Sequence, residues 1–132
     1  MSLSFERNDQ QTVHSVAIEF IKFYYDNLNS KNYQQINTLI KPYTLISFEK
    51  NHYNGSNINT LFQINNNMNL QFTPKKYDTL HSGARRINIV VTGTIHFIEN
   101  DLKTEKLFTE YIHLATGNPN EFWIQNSIFM LI

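Results

Sequence analysis

The chain has 132 residues, enough for one domain with one core, and balances 11 Lys and Arg against 11 Asp and Glu. A formal charge of zero excludes direct nucleic-acid binding by bulk charge, which needs a basic excess. The lack of cysteine excludes a disulfide framework, a thiol nucleophile and Cys-ligated zinc, and no apolar run nears the ~20 residues that a membrane helix needs.

The polar start, MSLSFERNDQQ, does not read as a signal peptide, and an intracellular setting is expected. Asp9 can cap a first helix, along which Val13, Val16, Ala17, Phe20, Ile21, Tyr24 and Leu28 recur at helical spacing. Asn29 and Ser30 end it. Tyr33, Ile36 and Ile40 predict a shorter second helix that closes before Lys41, because Pro42 follows. Residues 44–48 read as a strand and 50–55 as a turn centred on Asn54-Gly55. Ser56 is placed to cap a short helix carrying Ile58, Leu61 and Phe62, followed by a loop over 65–67. Met68, Leu70 and Phe72 alternate with polar residues, a half-buried strand that Pro74 should stop, and 75–83 reads as a polar connection. After the long strand described next, a turn is expected near Asn100-Asp101. A strand follows over 107–115, then a loop over 116–120 and a last strand over Phe122–Leu131. Helices gathered ahead of an antiparallel sheet make an α+β fold, and one domain over 1–132 suffices.

The strongest strand signal is RRINIVVTGTIHF, residues 85–97. Ile87, Ile89, Val91, Ile95 and Phe97 fall at alternate positions and must face a core. Asn88, Val90, Thr92, Thr94 and His96 share the opposite face, whose mixed character suits a covering partner. Gly93, mid-strand, predicts a bend. The same parity adds Thr109, Tyr111 and His113 from the next strand, and Asn126, Ile128 and Met130 from the last. Val90, Thr92, Thr94, Tyr111, His113, Ile128 and Met130 are therefore the predicted partner interface, with Val90, Tyr111, Ile128 and Met130 at its apolar centre.

Four stretches together resemble the nuclear transport factor 2 family. They are Glu19-Phe20-Ile21-Lys22-Phe23-Tyr24-Tyr25, then Ser47-Phe48-Glu49 with Gly55 six residues on, then Val90-Val91-Thr92-Gly93, and finally Phe122-Trp123-Ile124-Gln125-Asn126-Ser127-Ile128-Phe129. The resemblance spans nearly the whole chain and implies a cone: a long helix and shorter ones packed into a strongly bent antiparallel sheet. Within the family the chain is similar to the small subunit of the mRNA-export heterodimer. That likeness implies pairing with a larger receptor that has a similar domain, binding to phenylalanine-glycine nucleoporins, and residence in nucleus, cytoplasm and nuclear pore. The alternative within the family is a homodimeric carrier of Ran-GDP. The resemblance places Phe48 at a nucleoporin contact and Glu49 at a Ran contact. Two positions depart from the family pattern, Ser127 where Asp is usual and Met130 where Arg is usual.

The same fold hosts isomerases and dehydratases that move protons inside the cone. Such work needs a carboxylate or His with its pKa tuned by apolar walls. Glu110 shares the inward parity of Phe108, Ile112 and Leu114, and Tyr24 or Tyr25 could donate to a developing oxyanion. A hydrogen-bonded structural Glu is the expectation, with the many Phe side chains filling the cone. No catalytic residue, cofactor or metal is expected. The five histidines, at 14, 52, 81, 96 and 113, lack ligand spacing, and the four glycines are isolated.

Overall fold

The structure is a computed structural model, which describes residues 10–117 and 121–132. The Asp9 cap and residues 118–120 of the expected loop lie outside the described residues. Among the described residues, helices α1 (Gln10–Asn29), α2 (Tyr33–Asn37) and α3 (Ile58–Asn67) accompany six strands. These are β1 (Leu45–Phe48), β2 (Asn51–Asn54), β3 (Gln71–His81), β4 (Arg86–Glu99), β5 (Leu102–Thr116) and β6 (Phe122–Leu131). They form one curled, unclosed sheet in the order β2-β1-β6-β5-β4-β3. Among the described residues no helix is long and apolar enough to cross a membrane.

The helical stripe of α1 is buried along its length, Tyr25 included, and packs with the inward residues of β4. Ile87, Ile89, Val91, Ile95 and Phe97 are all buried, as their alternation requires. Phe108, Ile112 and Leu114 of β5 and Phe129 of β6 complete that core.

Gly93 is needed for a specific reason. It pairs with Pro74 of β3, where the register shifts before Lys76, and a Cβ at Gly93 would collide with the Thr73 carbonyl. The bend is a joint device of a bulged edge strand and a residue that lets its backbone approach.

Four local expectations are corrected. Residues 50–55 are mainly strand β2, which pairs antiparallel with β1. The turn between them is Glu49-Lys50, both at positive φ (47° and 71°), although neither residue type favours that region. Tertiary bonds hold it: Glu49 N donates to Phe129 O at 3.0 Å, and Leu131 N donates to Glu49 Oε1 at 2.8 Å. Strand β3 continues past Pro74 to His81, over most of the expected 75–83 connection, because an edge strand does not need the missing N–H. Helix α3 begins after Asn57, not Ser56, and runs through 65–67; the Ser56 hydroxyl instead donates to Asn54 Oδ1 at 2.6 Å. Asn65, expected in a loop, is buried. The Asn100-Asp101 turn is present, at φ of 52° and 63°.

Candidate functional site

The outer face of the sheet brings the predicted interface residues together. Val90 pairs with Tyr111, and Tyr111 pairs with Ile128, so the three form one row across β4, β5 and β6. Thr92, Thr109 and Met130 form the next row. Val90, Ile128 and Met130 are 42%, 45% and 50% exposed, a cost in water that a covered surface would not bear. Tyr111 is half-buried, and its hydroxyl donates to Asn88 Oδ1 at 2.7 Å. His113 pairs with Asn88 and Asn126 at the edge of the patch; burial, then the nearby Arg86 charge, pulls its pKa below the usual histidine value. Thr94 departs from the rest of the predicted set, being only 6% exposed.

Two apolar residues of this face were not foreseen. Leu107 pairs with Thr94, and Ile132 donates its N–H to the Leu107 carbonyl; both side chains are exposed. Leu107 shares the parity of Thr109 and Tyr111, so the signal was present at the start of the expected strand. Beyond them, His96 Nε2 lies 2.8 Å from Glu105 Oε1. His96 and His113 are thus on separate rows and cannot share a metal. Among the described residues no cluster of metal-ligating side chains occurs.

Phe48 and Glu49 lie on the other side of the sheet, beside an open cleft of about 350 Å³. Its apolar floor includes Leu70, Phe97, Phe129 and Leu131, with Glu99 and Lys106 also lining it. The Phe48 ring stacks on Phe129 at 4.6 Å. Glu49 is partly occupied within the chain through its bond from Leu131.

Deeper in the cone, Glu110 is 3% exposed. Tyr25 donates to its Oε1 at 2.7 Å and Tyr24 to its Oε2 at 3.2 Å, so both tyrosines reach it. Burial pushes the carboxyl pKa up to about 7, and the two phenol bonds, which favour the anion, oppose that. Burial, then the Glu110 charge, raises both tyrosine pKa values, which keeps the phenols protonated as donors. The cavity beside the carboxyl measures about 30 Å³. That is room for roughly two waters. A tuned carboxyl of this kind can exchange a proton, and the aromatic packing around it leaves space for little else.

Fold and site together define an α+β cone with an apolar outer sheet face. The model of the nuclear transport factor 2 (NTF2) domain family matches residues 16–131, and the chain belongs to that family. No curated protein matches the sequence. Among solved structures, nuclear transport factor 2 (Ntf2) from Cryptosporidium parvum is similar, with a TM-score of 0.78 and 22% identity over 98% of this chain and 100% of that one. The yeast UBP3-associated protein Bre5 superposes with a TM-score of 0.73 at 18% identity, over 94% of this chain and 97% of its own. A putative calcium/calmodulin dependent protein kinase II association domain from Xanthomonas campestris gives 0.77 at 12% identity, covering 100% and 97%. At these identities the likeness is one of fold.

Proposed function

We propose that the chain is a non-catalytic, protein-binding cofactor in nucleocytoplasmic transport. Its setting is nuclear mRNA export, between nucleus and cytoplasm at the nuclear pore. Its outer sheet face pairs with the similar domain of a larger export receptor, and the pair binds phenylalanine-glycine nucleoporins. The observation that carries the pairing is the exposed apolar set Val90, Leu107, Ile128 and Met130 on neighbouring rows of that face. Met130 suits an irregular apolar contact where the family pattern has Arg. Yeast Bre5, of like fold, forms a cofactor complex with the deubiquitinase Ubp3, which supports use of this fold to hold a protein partner. The non-catalytic reading is supported by the small cavity at Glu110 and by the two tyrosines that occupy its oxygens.

A second reading, a homodimeric Ran-GDP import carrier, is favoured by the apolar cleft beside Phe48 and Glu49. Capture of the tagged protein from its own cells, with an Ile128→Asp control, separates the two. A larger receptor with a similar domain and nucleoporins, lost in the control, supports the export cofactor. Ran together with untagged copies of the chain favours the carrier. Partners retained at full yield by the control would overturn pairing through this face.

A further inference from the structure

Three elements meet at the cavity beside Glu110: β5 brings the carboxyl, α1 brings Tyr24 and α3 brings Asn65. Asn65 is as deeply buried as Glu110. Its Nδ2 donates to Leu28 O at 3.2 Å and to the Tyr33 hydroxyl at 2.7 Å. The Leu28 carbonyl can only accept, so it fixes which end of the amide is which. Asn65 Oδ1 is left buried with no hydrogen-bond partner, although a buried polar atom is ordinarily paired. Glu110 carries a related deficit. Its oxygens accept from both phenols, which favours the carboxylate, yet no Lys, Arg or His lines the cavity among the described residues. The Tyr24 and Tyr25 protons are used on Glu110, and the Asn65 amide protons on Leu28 and Tyr33. The side-chain polar atoms left for the cavity are therefore acceptors, and one group of them is charged.

We propose that the cavity is a binding site for a small primary ammonium ion, whose N–H groups donate to Asn65 Oδ1 and to the Glu110 carboxylate. Such an ion supplies the missing donors and the missing counter-charge together, whereas water supplies donors alone. Phe62, Phe72 and Phe129 line the same space, and aromatic walls attract a cation where aliphatic ones do not. At about 30 Å³ the cavity takes about two non-hydrogen atoms, the size of methylammonium. A longer amine would run its apolar tail toward the half-buried Ile40, Phe48 and Leu61, which also line the cavity.

This binding goes beyond pairing and does not need it, because the cavity and the outer face lie on opposite sides of the sheet. One bound ion would tie α1, α3 and β5 together, so the bound chain should resist urea better than the free one. Around Glu110, the pairing partners Val91 and Phe129 carry no charge, nor does Asn65 of α3. Tyr24 and Tyr25 of α1 are the titratable groups that face it, and their raised pKa values keep them protonated. Burial pushes the carboxyl up to about 7, so the carboxylate that the ion needs is present above that value and is lost as pH falls through it. Uptake of the ion should weaken accordingly at acid pH.

The test is an NMR titration of the wild-type chain with methylammonium chloride at about pH 8, above the carboxyl's value, and at constant ionic strength. Methanol, a neutral molecule of the same size, is titrated in parallel, and both series are repeated on Glu110→Gln. The expected result is a saturable shift of the Asn65 side-chain amide and of the Tyr24 and Tyr25 rings with methylammonium only. The urea midpoint should rise with the ion, and binding should be at least about tenfold weaker in the variant. No saturable shift, equal shifts with methanol, or equal affinity in the variant would overturn the site. If the variant does not fold, the wild-type comparison of methylammonium with methanol decides alone.

Discussion

Glu110 and Tyr111 are neighbours in sequence, yet they point to opposite sides of one strand and live under different rules. Around Glu110 every contact is internal. Phe108 and Phe129 stack at 5.1 Å, Phe72 meets Phe129 edge-on at 5.8 Å, and both tyrosine hydroxyls end on the carboxylate. Around Tyr111 the pairing partners Val90 and Ile128 are half open to water, and the hydroxyl bonds sideways to Asn88. The inner side is completed by this chain and holds the fold together. The outer side adds little to the stability of the lone chain, and its apolar surface gains only when something covers it.

That contrast can be broken most sharply from inside. Phe108→Ala removes a fully buried ring and should cost about 3–5 kcal/mol, read as a lower urea midpoint, whereas Val90→Ala should stay within about 0.5 kcal/mol. Ile128→Asp should leave the melting temperature of the lone chain nearly unchanged. It should also weaken association at least about a hundredfold by analytical ultracentrifugation, since pairing would bury an unpaired charge; unchanged association would remove the outer face as the interface.

Glu49→Lys gives an intermediate effect. It deletes the bond from Leu131 that helps hold the Glu49-Lys50 turn, at about 1–2 kcal/mol in chemical denaturation. On the import-carrier reading it also abolishes Ran-GDP binding, which a pull-down checks. The smallest change is His113→Asn. Burial and Arg86 lower the His113 pKa, so the folded state favours the neutral ring. That stabilisation is present above the unfolded value of about 6.5 and is lost as pH falls through the folded one. The variant should lose less stability than wild type between pH 7 and 5, in urea titrations at fixed pH. Glu110 and His113, on opposite faces of β5, thus titrate with opposite sign.

Much of this contrast was legible from residues alone, because side-chain parity is a local property of an extended backbone. Ile87 to Phe97 on one side, and Val90 with Tyr111, Ile128 and Met130 on the other, needed nothing beyond a period of two. The inward direction of Glu110 followed from Phe108 and Ile112 in the same way. Leu107 was overlooked at a strand end, where the start of the element, not its parity, was misjudged. Thr94 shows the limit of the rule: parity assigns the outer face, yet the side chain is buried.

The sequence by itself determined the α+β order of elements apart from β2, the apolar stripe of α1, the core face of β4 and the identity of β6, since each is written in local periodicity. Only the tertiary structure decided the Glu49-Lys50 hairpin, the passage of β3 through Pro74 opposite Gly93, the parallel pairing of β1 with β6, and the closure of both tyrosines on Glu110. The physical reason is common to all four. Each rests on groups far apart in the chain, such as Glu49 with Phe129 and Leu131 or Tyr25 with Glu110, and such contacts override what the local residues prefer.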